Sequence, residues 1–92
     1  MIQAFRHKGL KRLYEVDDAR NLPAEHVPKL RNILARLDAA QSPEDMDLPS
    51  FRLHQLKGAL QGFYAVTVRA NWRIIFRMTD SNATDVDYLD YH

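Results

Sequence analysis

The chain contains no cysteine, which removes disulfide staples, thiolate metal sites and cysteine nucleophiles together. No apolar run approaches the roughly 20 residues needed to cross a bilayer. The opening "MIQAFRHKGL" has neither the apolar stretch nor the small-residue cleavage site of a secretory signal. A cytoplasmic protein with no membrane association is therefore expected. Glycine is scarce, with only 3 in the chain. None of them builds a phosphate-cradling loop after a strand, and no G-x-S-x-G elbow occurs. Nucleotide-binding folds and serine nucleophiles are excluded on that ground. The most informative shortage is local: from Leu48 to Thr79 there is not one Asp or Glu. Divalent metals that cut phosphodiesters are held by carboxylates, so neither metal nor other cofactor is expected there. His54, His92 and Asp90 have the composition of a two-histidine, one-carboxylate site, but lack a ligand spacing such as H-E-x-x-H.

What is present is an ordinary globular composition. The 92 residues, 46% hydrophobic and 27% charged, fit one domain spanning 1–92, which buries roughly 60 to 65 per cent of its unfolded surface. A net charge of +1 gives no whole-chain argument for nucleic acid, but its distribution is uneven. The acid-free segment carries Arg52, His54, Lys57, Arg69, Arg73 and Arg77, with the acids on either side of it in "PEDMD" and "DSNATDVDYLDYH". A local anion site requires such a segment, and a solvated sheet face would produce it equally well.

Periodicity assigns directions to these side chains. In "VPKLRNILARLDAA", Val27, Leu30, Ile33, Leu34 and Leu37 repeat at helical spacing, with Pro28 tolerated only near the first turn, so a helix that starts close to Ala24 or is bent there is predicted. Leu10, Leu13 and Tyr14 predict a shorter helix after a short strand at Ile2 to Phe5, "DDARNLP" links the two helices, and "SPED" can nucleate one helical turn. The period then becomes two. "WRIIFRM" places Trp72, Ile74, Phe76 and Met78 inward and Arg73, Ile75 and Arg77 outward. "FYAVTVR" places Tyr64, Val66 and Val68 inward, leaving Phe63, Ala65, Thr67 and Arg69 outward, while "FRLHQL" buries Phe51 and Leu53 and shows Arg52 and His54. "RAN" and "DSNA" read as hairpin turns. The expected fold is α+β, with two N-terminal helices on one face of a mostly antiparallel sheet and an open cationic face opposite. In the last strand Val86 and Tyr88 share parity with Asp90 and His92, so a bulge or an end of pairing near Leu89 would be needed to release them to that open face.

Cations with an imidazole suit a phosphate. RNA carries its own nucleophile, the 2′-hydroxyl, so cleavage needs only a base, an acid for the leaving 5′-oxygen, and fixed positive charge for the phosphorane. DNA lacks that hydroxyl. His54 or His92 can serve near neutral pH, with Asp90 two residues from the terminal ring. Each also has a plain structural reading, His54 as a half-buried strand residue and Asp90 as an arginine partner.

The segments "AFRHKGLKRLYE", "RNILARLDAA", "EDMDLP", "FRLHQLKG", "GFYAVTVRANWRIIFRM" and "DVDYLDYH", which together span nearly the whole chain, resemble the HigB-type toxins of the RelE superfamily. That resemblance implies the RelE-like microbial ribonuclease fold and membership of a type II toxin–antitoxin module. It further implies metal-independent cleavage of mRNA in the ribosomal A site, and a helix-turn-helix antitoxin of the HigA type as partner. By the same resemblance His54, Lys57, Arg73, Asp90, Tyr91 and His92 match active-site positions, with Arg73 gripping the scissile phosphate and His92 in acid or base work supported by Asp90. Arg52, Arg69 and Arg77 are further RNA contacts. The sequence departs from the family pattern at Gln55, where proline is common, and at Ala59 and Leu60, where an acidic and a basic residue are common. A non-catalytic RNA- or ribosome-binding module of the same fold is the alternative, and a protein whose sole partner is its antitoxin is a third possibility.

Overall fold

The computed structural model describes residues 1–91. Helix α1 runs Lys8–Val16. It begins where the His7 ring nitrogen Nδ1 accepts from the Leu10 amide at 3.2 Å, satisfying one of the orphan donors of the first turn. Gly9 permits this arrangement, since a Cβ there would meet the His7 ring at 2.9 Å. The helix ends at Asp17 in the left-handed conformation (φ 58), and the Asp17 and Asp18 amides donate back to the Leu13 and Arg12 carbonyls, closing the last turn. Helix α2, Val27–Ala39, is entered through a single 3₁₀ turn at Ala24–His26, with Pro28 in its first turn where no intrahelical amide is needed. Another short turn, Pro43–Met46, occupies the expected "SPED" position.

Four antiparallel strands follow in sequential order: β1 His54–Gln55, β2 Tyr64–Arg69, β3 Trp72–Thr79 and β4 Asn82–Asp90. Leu10, Leu13, Leu30, Ile33, Leu34 and Leu37 of the helices pack on Val66, Val68, Ile74, Phe76, Val86 and Tyr88 of the sheet, forming the main core. The β3–β4 turn has positive φ at both Asp80 and Ser81, the geometry that matches the strand twist.

Four expectations are corrected. Ile2 to Phe5 is not a strand but two isolated parallel bridges, Ile2 to Ala83 and Phe5 to Val86. "FRLHQL" contributes only two strand residues, because Arg52 sits at φ 50 and breaks the extended run before His54. The face opposite the helices is not simply open and cationic. Leu56, Phe63, Ala65 and Ile75 are buried on it as a second hydrophobic cluster, with Leu60 and Leu89 against it. The 56–63 segment folds over that face because large outward side chains such as Phe63 and Ile75 gain roughly 1.5 to 3 kcal/mol each on full burial. Finally, no bulge lies near Leu89: β4 pairs with β3 through Trp72 and Asp90. The extra residue is upstream, between the Ile75–Asp87 and Arg77–Thr84 pairs, where Asp85 takes φ 52.

Candidate active site

Edge strand β1 lies against β2 with His54 opposite Ala65, and Ala65 lies opposite Ile75 on β3. One row further, Thr67 of β2 and Leu89 of β4 flank Arg73. The open face thus carries His54 and Arg73 on neighbouring rows, and the small Ala65 side chain leaves space between them. A cavity of about 350 Å³ occupies that space, lined by His54, Gln55, Leu56, Lys57, Ala65, Arg73 and Tyr91. Among the described residues, no carboxylate is in the lining.

Local structure positions these candidate side chains. The left-handed backbone at Arg52 brings its carbonyl to Nδ1 of His54. A carbonyl only accepts, so Nδ1 carries the hydrogen and Nε2 is left to take or give a proton. The Arg73 Nη1 donates to the carbonyls of Ala70 at 2.7 Å and Trp72 at 3.3 Å, which fixes the guanidinium at the mouth of the β2–β3 turn. The Tyr91 amide donates to the Asn71 carbonyl at 2.8 Å, carrying the pairing one residue beyond β4 and holding the ring beside that same turn. Lys57 makes no ion pair among the described residues. Behind the site, on the helix side, Trp72 stacks on Tyr88 at 4.8 Å between centroids, and the buried His26 meets the Tyr88 hydroxyl through Nδ1. Burial holds the Tyr88 phenol above its ordinary pKa, so it stays neutral and hydrogen-bonding.

The structure therefore brings together His54, Lys57, Arg73 and Tyr91. Asp90 stands in register opposite Trp72, a helix-side residue, and is outside the cavity lining. His92 lies outside the described residues. Among the expected RNA contacts, Arg52 is exposed next to His54. Arg77 sits further along β3, its guanidinium 5.1 Å from the Phe63 ring centre, with Arg6 at 5.0 Å from the same ring. Arg69 is displaced from the outward face. An extra residue in β2 between the Thr67–Arg73 and Arg69–Trp72 pairs turns it to the helix side, where it pairs with Glu25 at 2.9 Å. Gln55, Leu56 and Ala65 are lining residues that pattern reading missed. Ala65 left one signal, a small residue among large ones on the outward face. Among the described residues, no three His, Cys, Asp or Glu side chains gather as a metal site, and no helix is long and apolar enough to cross a membrane.

The fold and the sequence both have known relatives. Two crystal structures of YafQ from E. coli, one of a histidine-to-glutamine mutant and one of the protein from strain BL21(DE3), superpose with a TM-score of 0.52 each at 16% and 15% identity, covering 95% of this chain and 89% of theirs. The fold is shared. In sequence the chain is 39% identical over 92 residues to Endoribonuclease HigB of Proteus vulgaris, with all of both chains covered. It is 36% identical over 95 residues to Toxin HigB-1 of Vibrio cholerae, covering 100% of this chain and 98% of that one. Residues 3–92 match the family described as "RelE-like toxin of type II toxin-antitoxin system HigB", and the chain accordingly belongs to the HigB-like toxins, a family whose members act within a module that includes an antitoxin.

Proposed function

We propose that the chain is an endoribonuclease that cuts mRNA in the ribosomal A site, in the cytoplasm, by attack of the 2′-hydroxyl on the adjacent phosphate and without a metal ion. The observation that carries this reading is the cavity in which an imidazole, an ammonium, a guanidinium and a phenol converge, with no carboxylate among the described lining residues. The name of the Proteus vulgaris relative, Endoribonuclease HigB, supports the activity.

In this reading Arg73 holds the scissile phosphate and opposes the charge that develops on its oxygens, which is the largest single contribution such a site can make. Nε2 of His54, with its tautomer set by the Arg52 carbonyl, takes the 2′-proton, assisted by the Lys57 charge. His92, supported by Asp90, protonates the leaving 5′-oxygen, and Tyr91 stacks on a base or donates to phosphate. Arg52 and Arg77 contact RNA beyond the cut, and Arg69 drops out because Glu25 already engages it. The ribosome supplies the ordered single strand that a shallow cleft does not hold alone. The antitoxin is of the helix-turn-helix, HigA type.

The deciding experiment incubates purified protein with programmed ribosomes and, separately, with free mRNA, then maps the ends produced. Fragments with 2′,3′-cyclic phosphate and 5′-hydroxyl ends, formed only on ribosomes, are expected. Ribosome binding without cleavage would instead establish a non-catalytic module of this fold.

A further inference from the structure

A second hollow of about 370 Å³ is lined by Gln55, Leu56, Lys57 and Gln61. It shares Gln55, Leu56 and Lys57 with the first cavity, so the two adjoin across that short segment, and its size falls within the roughly 300 to 1,000 Å³ of ligand pockets. The lining chemistry differs. The first cavity gathers cations, whereas the second offers two primary amides beside one aliphatic side chain and the shared lysine. Both glutamines are exposed, and neither amide group bonds to any of the described residues.

The backbone under these amides is fixed. The Leu56 amide donates to the Phe63 carbonyl at 2.9 Å, Gln61 to Gly58 at 3.0 Å and Phe63 to Leu60 at 3.0 Å. Leu56 and Leu60 anchor the loop in the second hydrophobic cluster. Gly58 (φ +69) and Gly62 (φ +94) supply the two reversals, and a Cβ on Gly62 would meet Arg77 Nη2 at 2.9 Å. The loop, with Gln61, and the end of β1, where Gln55 pairs with Tyr64, thus form a braced platform presenting two uncommitted amides next to a phosphate-binding cleft.

A phosphate accepts hydrogen bonds only, so an amide oxygen adds nothing to its recognition. A nucleobase edge alternates donors and acceptors, which the adjacent donor and acceptor of a glutamine amide can match. Single-stranded RNA is read in this way, by unstacking a base and bonding its edge. We propose that the hollow receives the unstacked base next to the scissile phosphate, and that Gln61 and Gln55 read its edge and set the preference for the base flanking the cut. Lys57, shared by both cavities, then marks the phosphate between cleavage and base sites. This inference rests on the ribonuclease reading above.

The test measures single-turnover cleavage on programmed ribosomes carrying messages that differ only in one base beside the cut, with all four bases on each side. Wild type is compared with Gln61→Ala, Gln61→Glu and the Gln55→Ala/Gln61→Ala double variant. One bidentate base contact discriminates by about 10-fold. The spread in rate among the four bases at one flank should therefore shrink by about that factor in the alanine variants. Gln61→Glu, which replaces a donor with an acceptor, should reorder the preferences. An unchanged base spread in all three variants, with cleavage intact, overturns the base site and leaves the ribonuclease reading standing. If wild type cuts none of the messages, that reading fails and binding decides the inference. Side-chain amide resonances of Gln55 and Gln61 in isotope-labelled protein are then followed during titration with uncleavable 2′-O-methyl trinucleotides. Base-dependent, saturable shifts support the site, and their absence overturns it.

Discussion

Replacing Arg73 with alanine separates chemistry from folding more sharply than any other change in the cleft. Its backbone lies on β3, flanked by Thr67 and Leu89, and its side chain projects from the face opposite the main core. Among the described residues only Nη1 is engaged, with the Ala70 and Trp72 carbonyls, which leaves the other donors to a phosphate. Losing a preorganised donor to a transition-state oxyanion costs about 100- to 1,000-fold in rate, or roughly 2.7 to 4 kcal/mol. The structural loss is smaller. One good hydrogen bond to a turn carbonyl that water can replace contributes about 1 kcal/mol, which lowers the melting temperature of a domain this size by roughly 4 to 8 °C. Arg73→Ala should therefore melt a few degrees early, remain folded at the assay temperature, and cut programmed ribosomes two to three orders of magnitude more slowly. Arg73→Lys keeps the charge but not the planar fork, and should fall between the two. Single-turnover rates measured beside thermal melts supply both quantities. An alanine variant that cuts within about threefold of wild type, a difference below roughly 1 kcal/mol in barrier, refutes the assignment. A melt that collapses together with the rate refutes the claim that the role is chemical.

Three further outcomes are expected. Asp38 accepts from the Tyr14 hydroxyl at 2.7 Å and from the Ile2 amide at 3.0 Å, which lowers its pKa below the ordinary 3.8 and raises that of Tyr14. A depressed carboxylate stabilises the fold above its unfolded pKa and loses that contribution as pH falls through its folded value. Tyr14→Phe should accordingly cost about 1 to 2 kcal/mol at neutral pH, with the gap from wild type closing in denaturant titrations below pH of about 4; a constant gap down to strong acid would contradict this. Protein stripped with EDTA and freed of chelator should cut programmed ribosomes with Mg²⁺ as the sole divalent ion, and a requirement for added Zn²⁺ or Mn²⁺ would defeat the acid–base mechanism. His92→Gln, which keeps a donor and an acceptor but does not cycle a proton near neutrality, should bind ribosomes while cutting about 100- to 10,000-fold more slowly; wild-type cleavage by this variant would assign the proton transfers elsewhere.

How far the molecule was legible follows from which interactions are local. The α2 stripe and the alternation of β3 are properties of consecutive residues, and both emerge in the structure with Ile74 and Phe76 buried and Arg73 and Arg77 on the other face. Register between strands is not local, because it depends on where an extra residue is accommodated, and a slip of one residue reverses every side chain beyond it. Ala83 and Val86 have opposite parity, yet both are buried in the same core; strict alternation forbids this, and the extra residue at Asp85 allows it. Arg69 reverses for the same reason on β2. Alternation past the β4 bulge then runs unbroken from Tyr88 to Asp90, leaving Asp90 opposite Trp72 and giving Tyr91 the phase that reaches the cleft.

On the outward face, side-chain size matters as much as register. Phe63, Ala65 and Ile75 alternate outward as predicted, but their polarity pointed to burial from a second side, which a sheet covered only by helices would not provide. The 56–63 segment provides it. In crossing the face it positions Lys57 and Gln61 at its margins, beside Gln55 at the end of β1, so that a hydrophobic cluster, rather than the cations themselves, fixes where these polar groups stand. Ala65 then decides the outcome. Facing His54 across the β1–β2 pair, it is the one small member of the cluster, and any larger side chain there would fill the space between imidazole and guanidinium.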